Sequence, residues 1–329
     1  MGERSILRDV AHAAGVSLRT ASRVLNEDPR VAVATRRRVQ EVMNDLQYTP
    51  DLMARSLRGG TDMTIGLVVE SIADPFFSEL VEAVESAASD DDRSVLVAST
   101  HGDPGRESRL VEQLLRRRIS GLLVVPTAGD HSWLARAACP LVMVDRPAEG
   151  LDVDVVGIDD RAAAFDAVSH LIAHGHGDIA YIGDHSHVAT SAARLAGYRQ
   201  AMALHGLDVR DRLIHADCPT PRAAAAAMSS LLTETRPTAV FSAATRCSLG
   251  VVPALHEHGR TDIALVGFGD FAMADALVPA VTVVDHSGSA VGWAAMARLT
   301  RRIGDPDLAL ETVHVPVALV ERGSGELRP

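Results

Sequence analysis

Leu18, Arg19, Ser22 and Arg23 share the outward side of a short helical stretch, Leu18 to about Leu25, whose other side carries Ala21, Val24 and Leu25. Two guanidiniums, a hydroxyl and an apolar tip on one helical face are suited to base edges in a DNA major groove. Arginine is the strongest reader, through its paired donors to guanine. Thr20 beside them can hold a phosphate oxygen. Ser17 is placed to cap this helix. Upstream, Ile6, Val10 and Ala13/Ala14 recur at helical spacing. Ser5 can cap that earlier helix, Asp9 lies near its positive end, and Gly15 closes it with a positive φ. Two short helices about a glycine turn, the second bearing arginine, make a helix-turn-helix, although an αα-hairpin with a solvated polar face has the same outline.

Three other spacings suggest chemistry and then fail on context. Gly267-Phe268-Gly269-Asp270-Phe271-Ala272 follows an apolar run and fits G-x-G-x-x-A, with Asp285 near the place of a ribose-binding acid. A dinucleotide fingerprint needs a crossover helix next, and barely two helical turns fit before Pro279. His174/His176 and His185/His187 stand at i,i+2 in Gly-rich or polar stretches, without the carboxylate pattern of a metal site. No G-x-S-x-G elbow occurs. No cofactor, metal or enzymatic activity is therefore expected.

The elements around the candidate reader come next. Asn26-Glu27-Asp28-Pro29 is a polar turn, and a third helix runs from about Ala34 to Leu46. Its Arg36, Arg37 and Arg38 fan over the surface, one or two of them toward phosphate. Asp51 to Arg58 can form two helical turns, too short to be stable alone in water. Residues 1–60 hold ten arginines against seven acids, while the whole chain of 329 residues carries −11. A small basic head on an acidic body suits a DNA reader whose body stays off the phosphates. All 32 basic residues are arginine, which reflects genome composition rather than function. The scattered Cys139, Cys218 and Cys247, without a CxxC, point to a reducing cytosol and no structural zinc. Neither a signal peptide nor a bilayer-length apolar run is found, so a cytoplasmic protein with no membrane partner is expected.

From Thr64 the chain alternates short apolar runs with helical stretches. TIGLVVE, SVLVAST, GLLVVPT, LVMVDR and VVGID are strand candidates, the first four separated by helices Phe77–Ala88, Arg106–Arg118 and Ser132–Ala138. A second series follows: helix Arg161–His174, IAYIGD, helix Ser191–Leu204, LIHAD, helix Pro221–Thr235, TAVFSA, helix Thr245–His258 and IALVGF. Continuously apolar strands are those buried on both faces of a parallel sheet. Two doubly wound parallel-sheet lobes are expected, with VTVVDH, helix Gly288–Arg302 and VHVPVALVER returning to them. A ligand cleft should lie between the lobes at the carboxyl ends of the strands.

The stretches SILRDVAHAAGVSLRTASRVLN and TRRRVQEVMNDLQYTPDLMARSL resemble the headpiece of the LacI/GalR (lactose-repressor-like) transcriptional regulators, and the resemblance extends with gaps over nearly the whole chain. It implies an all-α helix-turn-helix headpiece at 1–50, a hinge helix and linker at 51–61, and an α/β core of the periplasmic-binding-protein type at 62–329. Lobe one would span about 62–158 and 287–316, lobe two about 159–286 and 317–329. It further implies DNA contacts from Ser5, Leu7, Ser17, Leu18, Arg19, Thr20, Ser22, Arg23 and Asn26. On the hinge helix, which orders when two copies meet on DNA, the contacts would be Ala54, Arg55 and the wedging Leu57. A homodimer on a pseudo-palindromic double-stranded operator follows, most simply as a repressor, and the tail GSGELRP offers no heptads for a dimer of dimers.

By the same resemblance the effector positions are Asp74, Phe76, Phe77, Asp145, Asp159 and Arg194, joined by Arg246 and His286 where the chain departs from the family. Ala244-Thr245 stands where Asn-Asp is common, Gly269-Asp270 where Asp-Asp is common, and His286 in place of a frequent Gln. Arg194 and Arg246 together would favour an anionic group, giving a sugar acid, sugar phosphate or polyol derivative as effector. Two rivals remain: a regulator controlled by a partner protein without a small effector, and a pure solute-binding protein, which would have a signal peptide and lack the basic head.

Overall fold

The computed structural model describes residues 6–25, 28–48 and 63–329, and the chain divides into two compact units between residues 62 and 63. The first unit contains α1 (Leu7–Ala13), α2 (Leu18–Leu25) and α3 (Val33–Asp45). Ile6 is the N-cap of α1, and the Asp9 carboxylate reaches back to accept its N–H at 2.9 Å. The expected cap Ser5 lies outside the described residues. Gly15 takes φ +62°, and the Val16 N–H turns back to the Ala11 carbonyl at 2.9 Å. Ser17 caps α2, its Oγ accepting the Thr20 N–H at 3.1 Å. Val10, Ala14, Val24 and Val39 form the core. Ile6, expected on that face, precedes the helix and is exposed, and Ala11 is buried instead. Ala32 begins α3 with no side-chain cap.

The second unit holds two six-stranded sheets. In the first, β2 (Ser94–Ser99), β1 (Thr64–Val69), β3 (Gly121–Val124), β4 (Leu141–Asp145), β5 (Asp154–Gly157) and β11 (Thr312–His314) lie side by side, all parallel. In the second, the order is β7 (Ile214–His215), β6 (Ile179–Ile182), β8 (Ala239–Ser242), β9 (Ala264–Phe268), β10 (Thr282–Asp285) and β12 (Ala318–Val320), with only β12 antiparallel. Both sheets reverse direction beside their first strand, so each has a switch point, at β1/β3 and at β6/β8, where ligands bind in such folds. The run VHVPVALVER is not one strand. Pro316 cannot donate to a ladder, and the chain uses the break to pass from the first sheet to the second.

Helices α4 (Pro75–Asp90) and α5 (Pro104–Arg116) begin earlier than their apolar periodicity suggests, because Asp74 and Asp103 cap them and proline takes the first helical position. The helix expected at Ser132–Ala138 is instead a 3-10 turn over Ser132–Arg136. Leu134 and Ala137 donate to carbonyls three residues back, at 2.9 Å each. The strand expected within LIHAD shrinks to two residues, since Asp211–Leu213 is itself a 3-10 turn. Helices α6 (Asp160–Ala173), α7 (Ala189–Leu204), α8 (Pro221–Glu234), α9 (Thr245–Glu257) and α10 (Gly288–Gly304) complete the layers. A Cβ on Gly288 would lie 2.2 Å from the Phe76 carbonyl oxygen, so only glycine lets α10 press backbone to backbone on α4 at that point. That contact sets the position of Phe76.

Fully buried Asp154 receives Arg298 Nε at 2.9 Å, Arg302 Nε at 2.9 Å and the Glu311 N–H at 2.9 Å. It thereby joins β5, α10 and the approach to β11. No described helix is long and apolar enough to cross a membrane.

Candidate functional site

The headpiece presents the α2 side chains unevenly. Leu18 is 41% exposed and Arg19 is exposed. Thr20 turns its hydroxyl to Ser17 Oγ at 2.8 Å, and Ser22 and Leu7 are half-buried. Arg23, expected to read a base beside Arg19, stands 3.7 Å from Asp28, whose carboxylate also receives Arg30 at 2.7 and 2.9 Å. Those arginines hold Asp28 well below the usual carboxylate range. The arginine run of α3 is divided in its duties. Arg36 donates to the Asp28 carbonyl at 2.9 Å and Arg37 pairs with Glu41 at 3.6 Å, while Arg38 is exposed. Asn26, Ala54, Arg55 and Leu57 lie outside the described residues.

The cleft between the lobes collects residues from the carboxyl ends of strands in both sheets. Glu70 follows β1, Asp145 ends β4, Asp184 follows β6, and His286 follows β10. Arg246 stands in the first turn of α9 and spans the cleft. Its Nη2 lies 2.8 Å from Glu70 and 3.4 Å from Asp74 on the first lobe, and its Nε is 3.4 Å from Asp184 on its own lobe. Glu70 takes Arg146 Nη2 at 3.1 Å with its other oxygen, and Arg146 Nε pairs with Asp145 at 3.0 Å. Burial pushes the Glu70 carboxyl up, but Arg146 and Arg246 more than offset it and leave it below its ordinary value. Burial wins at Asp74, whose pKa is raised despite Arg246. Asp145 holds φ +71°, a left-handed conformation that a non-glycine residue adopts only when its surroundings fix it.

Seven of the eight expected effector residues, Asp74, Phe76, Phe77, Asp145, Arg194, Arg246 and His286, line an inner cavity of about 50 Å³. Phe76 stacks on His286, ring centroids 4.7 Å apart, and burial drives the imidazole down to about 3, with Arg194 adding to the effect. His286 Nδ1 is buried without a hydrogen-bond partner. An outer cavity of about 420 Å³ includes Thr100, His101, Thr127, His185 and His187. Glu70, Arg146, Asp184 and Arg246 border both spaces, so the Arg246–Glu70 pair is the partition between them.

Two expectations are corrected. Asp159 is exposed and caps α6 by accepting the Ala162 N–H at 2.9 Å; it borders neither cavity. Its buried neighbour Asp160 borders neither cavity but reaches the site through Arg194, holding its Nε at 2.6 Å. Arg194 also donates to the Ala243 carbonyl at 2.9 Å and covers the Phe268 ring at 3.9 Å. Both guanidiniums expected to attract an anion are therefore already held by carboxylates. Glu70, Arg146 and Asp184 were not anticipated. Glu70 follows β1 directly and Asp184 follows β6 after Gly183, placements the switch-point rule picks out. Gly269 has φ +89°, and a Cβ there would meet Thr245 Oγ1 at 2.1 Å, so the backbone here leaves no room for a side chain. The G-x-G-x-x-A run ends in turns rather than a helix, and Asp270 is taken by Arg322.

A helix-turn-helix unit and a two-lobed core with a switch-point cleft define a ligand-responsive DNA-binding regulator. Residues 6–51 match the model for bacterial regulatory proteins of the lacI family, and residues 62–319 match that for periplasmic binding proteins and the sugar binding domain of the LacI family. The chain is 34% identical over 288 residues to the transcriptional regulator GalR of Escherichia coli, covering 85% of this chain and 84% of that protein. It is 32% identical over 327 residues to the ribose operon repressor of Escherichia coli, covering 97% and 99%. The lac repressor dimer bound to operator and an anti-inducer superposes with a TM-score of 0.89 at 25% identity, covering 98% of this chain and 99% of that one. The chain belongs to the LacI family and is a DNA-binding transcriptional regulator.

Proposed function

We propose that the protein is a cytoplasmic, non-enzymatic repressor that binds a pseudo-palindromic operator as a homodimer and is switched by a neutral polyhydroxylated metabolite in the interlobe cleft. The observation that carries the effector class is the charge balance of the cleft. Glu70, Asp74, Asp145 and Asp184 line the inner cavity with Arg146, Arg194 and Arg246, and Asp160 holds Arg194. An anion entering there meets surplus carboxylate and no free guanidinium among the described residues. Hydroxyls instead find acceptors, each able to take two directional hydrogen bonds. The roles of the relatives, a sugar binding domain and a ribose operon repressor, support the same class. A coupling of about 1–3 kcal/mol between cleft and DNA suffices for a useful switch. On the DNA side, the hinge helix at Asp51–Arg58 and a Leu57 wedge are proposed from the family resemblance, with an operator centred on a flexible pyrimidine–purine step.

A second reading, control by a partner protein with no small effector, draws on the small size of the inner cavity that Arg246 borders. Selection of random DNA by the purified protein, followed by calorimetry with neutral sugars, sugar acids and sugar phosphates, separates these readings. A symmetric site and binding of a neutral polyol are expected. Preference for the acids or phosphates overturns the effector class, absence of any ligand favours the partner reading, and an asymmetric site refutes the dimer.

A further inference from the structure

We propose that His185, His187 and Asp217 form a binding site for a divalent transition-metal ion of the zinc class at the mouth of the cleft. The two histidines sit on the loop after β6 and Asp217 on the loop after β7, so the paired strands bring together residues thirty positions apart in sequence. Their ligand atoms all lie within 4.8 Å of one another. His185 Nδ1 and Asp217 Oδ1 are 3.6 Å apart. This is too long for a hydrogen bond. It is close to the roughly 3.3 Å that separates two ligands on a tetrahedral ion with bonds of about 2.0–2.1 Å.

The carboxylate is oriented in advance. Asp217 accepts the Ser186 N–H at 2.9 Å and the Ser186 hydroxyl at 3.2 Å, and Ser186 is the residue between the two histidines. Asp184 accepts the His185 N–H at 2.7 Å and steadies the same loop. Partners of this kind fix a metal ligand before the ion arrives. Asp217 itself holds φ +68°. The imidazoles are stacked with centroids 4.9 Å apart, and binding turns their nitrogens toward one point.

Two imidazoles with one carboxylate select zinc, cobalt or nickel over magnesium or calcium, which take oxygen ligands. Three protein ligands leave one tetrahedral position open. Both histidines border the outer cavity, and so does His101 from the opposite lobe, so the open position adjoins the space between the lobes. The sequence alone hides this site because the histidine spacing names no carboxylate.

The test uses the full-length protein stripped of metal, with zinc by calorimetry and cobalt by visible absorption. One ion per chain and a tetrahedral cobalt spectrum are expected. His187→Ala and Asp217→Asn should each weaken binding at least tenfold, with thermal melting confirming the fold. His174→Ala, in the other histidine pair, should leave binding unchanged. Absence of zinc and cobalt binding, or binding indifferent to both site variants, overturns the proposal. Neither result bears on operator recognition.

Discussion

Removing Arg246 tests the cleft most directly, because that side chain makes the ion pairs from lobe two to Glu70 and Asp74. In Arg246→Met, Glu70 retains Arg146 but Asp74 and Asp184 lose the cation beside them. Breaking a fully buried pair costs about 3–5 kcal/mol. The Arg246 side chain is 24% exposed, so water screens part of that loss and about 2–3 kcal/mol is expected. At about 2–4 °C per kcal/mol for a unit of this size, melting should fall by roughly 4–12 °C at neutral pH. The pH dependence carries the sign. Glu70 has a depressed folded pKa, so its contribution is present above the ordinary value of 4.5 and is lost as pH falls through the folded value. The gap between wild type and variant should therefore narrow as the pH is lowered below about 4.5. Calorimetric melts at neutral and acid pH supply the comparison. Equal stability at pH 7, or a gap that widens in acid, refutes the reading that the Arg246 ion pairs hold the two lobes across the cleft.

Three further outcomes follow from other parts of the molecule. Arg19→Ala should relax base preference at one symmetric pair of operator positions by about 1–3 kcal/mol, measured by binding to a panel of site variants; a uniform loss across the panel makes Arg19 a phosphate contact. Asp154→Asn leaves buried Arg302 with a neutral partner and Arg298 with only the Glu311 carboxylate, and a loss of about 3–5 kcal/mol is expected in denaturant titrations, whereas a change below about 1 kcal/mol argues against the cluster. His131 Nε2 donates to the Glu107 carboxylate at 2.8 Å with both side chains buried, and that hydrogen bond raises its pKa against the effect of burial. Its contribution is full below the ordinary 6.5 and is lost as pH rises through the folded value, so His131→Gln should flatten that part of the stability profile on the alkaline side.

The parallel sheets were legible because their strands are continuously apolar, and the α2 face because polar and apolar residues separate at helical spacing. Helix starts were less so: Asp74-Pro75 and Asp103-Pro104 are cap signals that outrank the apolar period, which begins later. The misplaced Asp159 shows a different limit. Two adjacent acids at a helix start are equivalent in sequence, and only the backbone direction sends one to the N-cap and the other inward to Arg194. Glu70 illustrates a third. Its role depends on Arg146 and Arg246, residues that are distant in the chain and converge only when the two lobes face one another.

The late strands set the order in which the molecule can be completed. β5 ends at Gly157, yet β11, its neighbour on the outer side of the first sheet, begins at Thr312. At ribosomal rates of about 5–20 residues per second, that edge stays unpaired for roughly 10–30 s while the intervening chain is made. β12 emerges only a few residues after β11 and closes the second sheet. Both sheets therefore receive their last strand almost together, and a nascent chain stalled before Thr312 carries two open edges at once, each a template for pairing with another chain.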